Sequence, residues 1–256
     1  MTATDQRAPQ LTLRRADDRG HFDHGWLKAK HSFSFGHYFD PQHVGFRSLR
    51  VINEDVISGG TGFPTHPHRN MEILTYVTSG AIEHQDNAGN YGVVKAGEVQ
   101  RMTAGSGIRH SEANASANEN LELLQIWIHP KQSGLTPGYE QKAFNVAEYP
   151  GQWQLIASPD GSDGSLTIHQ DAKLFAIRLD PGQSAQMEIA RGRGAWLQVV
   201  EGSADVQAVG GSSDSKQEDG NNAIIQQGDG LAMNQISEFT LTAGDAGAEI
   251  LAFDLA

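Results

Sequence analysis

The sequence predicts an all-β protein, and three observations point to that class. Short apolar runs rich in β-branched and aromatic residues recur along the 256 residues. Glycine (29 residues) and proline (9 residues) fall between these runs at short intervals, as turns between strands do. No segment sustains a helical apolar stripe for more than about 12 residues, so helices should be few and short. Many short strands with frequent turns are typical of a β-sandwich or a β-barrel.

The apolar runs predict where the main strands lie. Each run is bounded by Gly, Pro, Asn or Asp, which favour turns. In chain order the runs are SLRVI (48–52), EILTYV (72–77), LLQIWI (123–128), KLFAIRL (173–179), AWLQVV (195–200), EFTLTA (238–243) and EILAFDL (249–255).

A division into two domains is predicted near the middle of the chain. The segment HPKQSGLTPGYEQKAF carries two prolines and two glycines without apolar alternation, which indicates a connector at 133–150. Similar β units flank it, because on each side a strand ends at a glycine turn and a G-[DE]-x₃-M turn follows. We therefore expect an N-terminal domain over 1–132 and a C-terminal domain over 151–256. In the second copy, the polar segment SSDSKQEDGNN (212–222) is predicted to be a surface hairpin tip.

Composition excludes several classes of function. The chain has no cysteine, which excludes disulfides, Cys-ligated zinc or iron–sulfur sites and a Cys nucleophile. Lys and Arg total 19 against 31 Asp and Glu, and the net charge of −12 argues against nucleic acid or a membrane as a direct partner. The segment MTATDQRAPQLTLRRADDRG has no apolar targeting region, and no run approaches about 18 apolar residues. We therefore expect a soluble, cytoplasmic protein.

Histidine is concentrated in the first half of the chain and marks a candidate site. Ten of the 11 histidines lie within residues 1–129, and His169 is the one beyond. Within GGTGFPTHPHRNME, His66 and His68 stand two residues apart, so a strand would point both imidazoles to one face. That geometry lets both rings reach one metal ion at about 2.0–2.2 Å.

A second pair completes a candidate metal site. GSGIRHSEAN places His110 and Glu112 at the same two-residue spacing, behind a glycine-rich turn. The two pairs together predict three imidazoles and a carboxylate around an ion with one or two open positions, a set that suits Fe(II), Mn, Ni, Cu(II) or Zn. Glu72 is the alternative carboxylate because it lies six residues after His66, but the closer spacing favours Glu112. Two unrelated polar pairs on exposed strands are the alternative to a shared site.

These motifs resemble those of the cupin superfamily and, within it, the pirin family. GGTGFPTHPHRNMEILTYVTSG resembles the first cupin motif through Gly60, His66, His68, Glu72 and Gly80. GEVQRMTAGSGIRHSEAN resembles the second motif as pirins have it, ending in His110, Glu112 and Asn114. The segments RGHFDHGWLKAKHSFSFGHYFDP and RVINEDVISGGTGFPTHPHRNMEILTYV are similar to those of bacterial pirin-like quercetin 2,3-dioxygenases.

The resemblance implies a bicupin, in which two β-barrels share one chain and the N-terminal barrel holds one metal. The ligands it implies are His66, His68, His110 and Glu112. The C-terminal half has no H-x-H and no paired carboxylate, and His169 alone cannot build a site, so that barrel should be metal-free. The implied metal is Fe(II), with Zn, Ni, Mn, Co and Cu as alternatives. We expect the protein to be a monomer.

The activity that the resemblance implies is the opening of quercetin, a flavonol, by O₂ to give a depside and carbon monoxide. The 3-hydroxyl and carbonyl of the flavonol would bind an open metal position, and Glu112 would accept the 3-hydroxyl proton as the catalytic base. Apolar barrel walls would hold the flat ring. The aromatic residues Phe33, Phe35, Tyr38 and Phe46 are expected to pack the N-terminal segment onto the barrel, and coverage of the barrel mouth is the alternative.

Three other functions stay open at this point. Cupin metals support other reactions of small molecules, so a cupin enzyme with a different substrate is the first. Eukaryotic pirins are described as transcription cofactors, so a metal-binding regulatory cupin that acts through a protein partner is the second. A purely structural metal that staples the barrel is the third. Consumption of O₂ that depends on the substrate would separate the enzymes from the last two.

Overall fold

The computed structural model describes residues 10–210 and 221–256, so almost all of the hairpin tip predicted at 212–222 lies outside the described residues. Within those ranges the chain is mainly strand, and its helices are three 3₁₀ turns at Ala16–Asp18, Val146–Glu148 and Ser162–Gly164. The prediction of an all-β protein with few, short helices is confirmed. None of the helices in the described ranges has the length and apolar character needed to cross a membrane.

The chain forms two compact units, each assembled from separate stretches of sequence. The first unit contains Arg19–Asn145 and Leu155–Ala172, and the second contains, within the described ranges, residues 10–18, 146–154 and 173–256. A strand at Gly138–Ala143 lies inside the segment predicted as a connector at 133–150. All but one of its residues are half-buried, so neither face of the strand is turned to a core. Its sequence, GYEQKA, accordingly lacks the apolar alternation that predicts a strand. The boundaries 1–132 and 151–256 stay a prediction.

The strands of the first unit form two antiparallel sheets. They are β2 (Gly20–Asp23), β3 (Leu27–His31), β4 (Leu49–Ile57), β5 (Gly62–His68), β6 (Glu72–Ser79), β7 (Ala81–Asp86), β8 (Tyr91–Lys95), β9 (Glu98–Thr103), β10 (Ile108–Asn114), β11 (Leu121–Ile128) and β12 (Gly138–Ala143). Seven strands pair in the order β12-β9-β6-β11-β4-β3-β2, and four pair in the order β5-β10-β7-β8. Residues 157–158 of β13 (Gln154–Ser158) also pair, in parallel, with β14 (Leu166–Thr167).

Strands of the first unit bury alternate residues, as expected when one face of a sheet is turned to a core. In β10, Ile108, His110 and Glu112 are buried, whereas Arg109 is exposed. Buried apolar residues of this unit pack together in clusters. One of them consists of Ile73, Met102, Ala104 and Ile108, with Met71 and Trp127 packed against it. Because Ile108 belongs to that cluster, an apolar wall stands beside the buried polar residues of β10.

The second unit contains the remaining strands. They are β1 (Gln10–Arg14), β15 (Ala172–Leu179), β16 (Ser184–Glu188), β17 (Gly194–Gly210), β18 (Asn222–Gln226), β19 (Gly230–Asn234) and β20 (Ile236–Leu255). Five pair in the order β1-β19-β17-β20-β15, while β16 pairs with β20 and β18 pairs with β17. The core includes Phe239, Leu241 and Ile250, all fully buried. Full burial of side chains of this size stabilises a fold by about 1.5–3 kcal/mol each.

The glycine turns of the predicted repeat have matching backbone conformations in the two units. Gly80 has a φ of 77° and Gly202 a φ of 73°, while Gly97 has a φ of 82° and Gly228 a φ of 83°. Residues other than glycine rarely adopt these left-handed backbone angles. The agreement supports the inference of two copies of one β unit.

Candidate metal centre

Three of the predicted ligands, His66, His68 and His110, come together in the first unit. One ring nitrogen from each lies within 4.8 Å of the others, and the ring centroids are 4.4–4.9 Å apart. The cause is strand pairing, because His110 stands opposite His66 and Ile108 stands opposite His68 on the antiparallel strands β10 and β5. Two donors at about 2.1 Å from one ion lie at most about 4 Å apart, so small side-chain movements would gather these nitrogens around a metal.

A β-bulge in β5 aims His66 toward the other two rings. The pairing places Glu112 opposite Phe63 and His110 opposite His66, so two residues of β5 face the single residue between Glu112 and His110. Bulges increase the local twist and redirect side chains. The Nδ1 atom of His66 donates to the Pro64 carbonyl oxygen at 2.8 Å. This hydrogen bond leaves Nε2 of His66 with its lone pair free for a metal.

The electrostatics of the histidine cluster fit a cation. Burial, together with repulsion from neighbouring imidazoles, lowers the pKa of His110 to about 2 and that of His68 to about 4. Both rings are therefore neutral at pH 7, which is the form that binds metals. The Nε2 atom of His110 is buried and has no hydrogen-bond partner among the described residues. A buried polar atom without a partner is costly, and a metal ion would satisfy it.

Glu112 lies on the same face of β10 as His110 but is held by different neighbours. Its carboxylate accepts hydrogen bonds from Gln100 Nε2 at 2.7 Å and from Gln125 Nε2 at 3.1 Å. Burial raises its pKa to about 7, and these amide donors act in the opposite direction. A carboxylate oxygen lies within 4.8 Å of ring nitrogens of His110 and His84. The four predicted ligands therefore do not all lie within 4.8 Å of one another in the described chain. Glu112 lies at that distance from His110 and His84, and His110 lies at that distance from His66 and His68.

A row of polar side chains on the seven-stranded sheet supplies the partners of Glu112. Residues directly opposite one another on adjacent strands share a face of a sheet. The register aligns one such row across six strands, formed by His31, Asn53, Gln125, Thr75, Gln100 and Gln141. Within this polar row, Gln100 Nε2 also donates to Thr75 Oγ1 at 2.9 Å, and Tyr139 donates to Gln100 Oε1 at 3.1 Å. The network thus provides a donor to each oxygen of the Glu112 carboxylate.

Glu72, the alternative carboxylate, lies outside the histidine cluster. Its side chain is fully buried, accepts a hydrogen bond from Thr103 Oγ1 at 2.9 Å and lies 3.3 Å from Nδ1 of His169. Burial raises the pKa of Glu72. His169 is the one histidine beyond residue 129. His169 belongs to the first unit, because Leu155–Ala172 packs there, and the second unit contains no histidine.

An aromatic wall adjoins the histidine cluster. The Trp127 ring lies 4.9 Å from His68, and the Phe35 ring lies 5.2 Å from Trp127, both edge to face. Phe33, Phe35, Tyr38 and Phe46 are the predicted aromatic cluster. Phe35 is the member that reaches toward the histidine cluster, through Trp127. Tyr38 pairs instead with Phe22 at 6.5 Å.

A cavity of about 380 Å³ opens beside His68. Its volume falls within the range of small-molecule sites, about 300–1,000 Å³. The lining includes Arg69 and Arg109 as well as Ile108. Arg69 donates from Nε to the Ser106 carbonyl oxygen at 3.0 Å, and its terminal nitrogens make no hydrogen bond among the described residues. The cavity therefore combines a candidate metal ligand with positive charge.

Comparison with known proteins gives two family matches. Residues 12–128 match the family described as Pirin, and residues 155–255 match the family described as Quercetinase C-terminal cupin domain. The chain is 47% identical over 245 residues to the quercetin 2,3-dioxygenase of Escherichia coli K12, covering 96% of this chain and 98% of that protein. It is 44% identical over 194 residues to a pirin-like protein of Caulobacter vibrioides, covering 75% of this chain and 83% of that protein.

Solved structures agree with these matches. The crystal structure of YhhW from E. coli superposes with a TM-score of 0.87 at 46% identity, covering 96% of this chain and 98% of that chain. A second structure of YhhW, a bacterial pirin in complex with nickel(II), gives a TM-score of 0.85 at 46% identity, covering 96% and 99%. YhaK from E. coli gives a TM-score of 0.72 at 32% identity, covering 92% and 97%.

Proposed function

This chain belongs to the pirin family, which confirms the predicted resemblance and bicupin fold, and we propose that it is a metal-dependent dioxygenase. The reaction we propose is the opening of the flavonol ring of quercetin by O₂, giving a depside and carbon monoxide. The observation that carries the proposal is the cluster of three imidazoles, one with a buried and unpartnered nitrogen, beside a buried carboxylate. Relatives named quercetin 2,3-dioxygenase support the choice of substrate.

The proposed metal ligands are His66, His68, His110 and Glu112, and the proposed metal is Fe(II). A divalent ion in general is supported by the histidine cluster and by the nickel(II) complex of the E. coli relative. When bound, such an ion supplies Lewis-acid chemistry and a template for the 3-hydroxyl and adjacent carbonyl of the flavonol. Ionised carboxylate and neutral imidazole together suit metals of this class.

Glu112 is the proposed catalytic base, which takes the proton of the flavonol 3-hydroxyl. A base works best when its pKa lies near the working pH, and burial raises the pKa of the Glu112 carboxyl to about 7 in the metal-free protein. The amides of Gln100 and Gln125 hold the carboxylate in one orientation, so it is positioned before the substrate arrives. Such preorganisation lowers the cost of reaching the reactive geometry.

The remaining parts of the site suit a flat aromatic molecule that becomes an anion. Trp127 and the apolar cluster around Ile73 and Met102 offer a wall for the ring and exclude water. Arg69 and Arg109, which line the cavity beside His68, place positive charge where the deprotonated flavonol would carry negative charge.

The experiment that tests the proposal compares Glu112→Gln with Glu72→Gln, two buried carboxylates of the same unit. Each protein is saturated with Fe(II), its metal content is measured, and O₂ consumption and carbon monoxide release are followed with quercetin. We expect Glu112→Gln to lose about 10²–10⁴-fold in turnover, the usual contribution of a positioned base. Glu72→Gln, which lies outside the cluster, should lose less, at most about 10–100-fold. A metal-replete Glu112→Gln protein that opens quercetin at the wild-type rate would refute the base role. A wild-type protein that releases no carbon monoxide would refute the activity.

A further inference from the structure

A buried histidine that the sequence analysis did not single out lies directly behind the cluster. His84 is on β7, fully buried, and its Nδ1 lies 3.4 Å from Nδ1 of His110. The other ring nitrogen, Nε2, lies 3.5 Å from Oδ2 of Asp86. The ring of Tyr139 stacks on His84 at 4.6 Å. We propose that His84, oriented by Asp86, is a positioning residue that holds His110 in the tautomer whose Nε2 can bind the metal.

The tautomer of His110 follows from where the protons lie along this chain of groups. The Asp86 carboxylate accepts hydrogen bonds only, so the proton between it and His84 belongs to His84 Nε2. A neutral His84 with a proton on Nε2 has a lone pair on Nδ1. That lone pair accepts a proton donated by His110 Nδ1, which leaves the lone pair of His110 on Nε2. Metal-binding histidines usually donate their second ring N–H to a neighbouring acceptor in this way.

Asp86 is itself fixed, so it can orient His84. Its Oδ1 accepts from the backbone N–H groups of Ala88 and Asn90, both at 2.9 Å, and its Oδ2 accepts from Asn90 Nδ2 at 2.8 Å. All these partners belong to the tight turn between β7 and β8. The side chain of Asp86 thus has little freedom to move away from His84.

A competing role for His84 is that of a metal ligand. Ring nitrogens of His84 and His110 and a carboxylate oxygen of Glu112 lie within 4.8 Å of one another, as those of His66, His68 and His110 do. The hydrogen bonds distinguish the two roles. Nδ1 of His110 faces His84, whereas Nε2 of His110 is buried without a partner among the described residues. The open donor atom is therefore Nε2, and Nδ1 is engaged in positioning.

The inference rests on the metal site of the proposed function, and its test measures metal affinity apart from catalysis. Wild-type protein and the variants His84→Leu, His84→Asn and His43→Leu are titrated with Ni²⁺ against a chelating dye. Leucine removes the acceptor, whereas asparagine can place an amide oxygen where Nδ1 lay. His43 is the matched control, because it also pairs with a carboxylate, Asp40, at 2.9 Å within the same unit.

We expect His84→Leu to weaken Ni²⁺ binding by about 10–100-fold, the usual effect of losing an outer partner of a ligand. His84→Asn and His43→Leu should bind Ni²⁺ nearly as the wild type does. Equal affinity in His84→Leu and the wild type would overturn the inference. Losses of the same size in His84→Asn and His84→Leu would make His84 a ligand and overturn it as well. A wild-type protein without Ni²⁺ affinity would instead overturn the proposed metal site.

A second measurement uses the wild-type protein and does not depend on whether the variants fold. The ¹⁵N chemical shifts of the imidazole nitrogens in metal-free wild-type protein report which nitrogen carries the proton. We expect the proton of His110 on Nδ1 and that of His84 on Nε2. A metal-free protein in which His110 carries its proton on Nε2 would contradict the inference.

Discussion

Asp55 has a buried carboxyl group, one oxygen of which lacks a hydrogen-bond partner among the described residues, and replacing it should stabilise the protein at high pH. Its residue is 4% exposed, and its Oδ1 atom has no hydrogen-bond partner among the described residues. Its cross-strand neighbours are Ala29 on β3 and Leu123 on β11. Burial, reinforced by repulsion from Glu112 and Glu54, raises the pKa of Asp55 from 3.8 to about 7.

The size and sign of the effect follow from that pKa. The folded protein binds the Asp55 proton more tightly than the unfolded chain does, so stability falls as pH rises from about 4 to about 7 and is level above that. A rise of that size corresponds to roughly 4 kcal/mol, at 1.36 kcal/mol per pKa unit. Asparagine has nearly the same shape and does not ionise. Asp55→Asn should therefore match the wild type near pH 4 and exceed its unfolding free energy by up to about 4 kcal/mol at pH 8.

The assay is urea unfolding of metal-free protein at pH 4 and pH 8, followed by tryptophan fluorescence, since Trp26 and Trp127 both lie in the first unit. Glu122→Gln is the control, because it removes an exposed carboxylate from β11, and it should not reproduce the gain in stability expected of Asp55→Asn at pH 8. A difference in unfolding free energy between Asp55→Asn and the wild type that does not grow between pH 4 and pH 8 would contradict the raised pKa of Asp55.

Three further changes test the site and its support. His66→Ala should reduce bound metal, measured by elemental analysis, well below one equivalent per chain, because a ligand is lost. His129 is exposed and lies outside the cluster, so His129→Ala should retain the metal. Gly62→Ala should weaken Ni²⁺ binding, since a Cβ there would lie 2.4 Å from the Ala113 Cα and force β5 away from β10; unchanged affinity would contradict this. Leu74→Ala, at a fully buried position, should lower the free energy of unfolding by about 2–5 kcal/mol, measured by urea titration.

The features that could be predicted from the sequence are those set by local spacing. Strands are recognised from alternation within a few residues, and the pairs His66/His68 and His110/Glu112 share a face because side chains alternate along a strand. The preference for Glu112 over Glu72 as the carboxylate ligand used the same rule and stays a prediction.

The features that escaped prediction depend on which strands pair. His84 meets His110 only because β7 pairs with β10, and the two residues are 26 positions apart. A signal was present, since His84 and Asp86 have the same two-residue spacing as the other pairs. His169 lies beside Glu72 because Leu155–Ala172 belongs to the first unit, and no local sequence pattern predicts that placement.

The pairing of β1 with β19 has a consequence for synthesis on the ribosome. Gln10 lies opposite Asn234, so 224 positions separate the two partners. At translation rates of about 5–20 residues per second, the first strand waits roughly 11–45 s for the second to be made. During that interval Leu11 and Leu13 lack the core of the second unit, against which they pack in the finished protein. The yield of folded protein should therefore depend on elongation rate and on chaperones that shield this strand, which equilibrium measurements on the completed chain would not reveal.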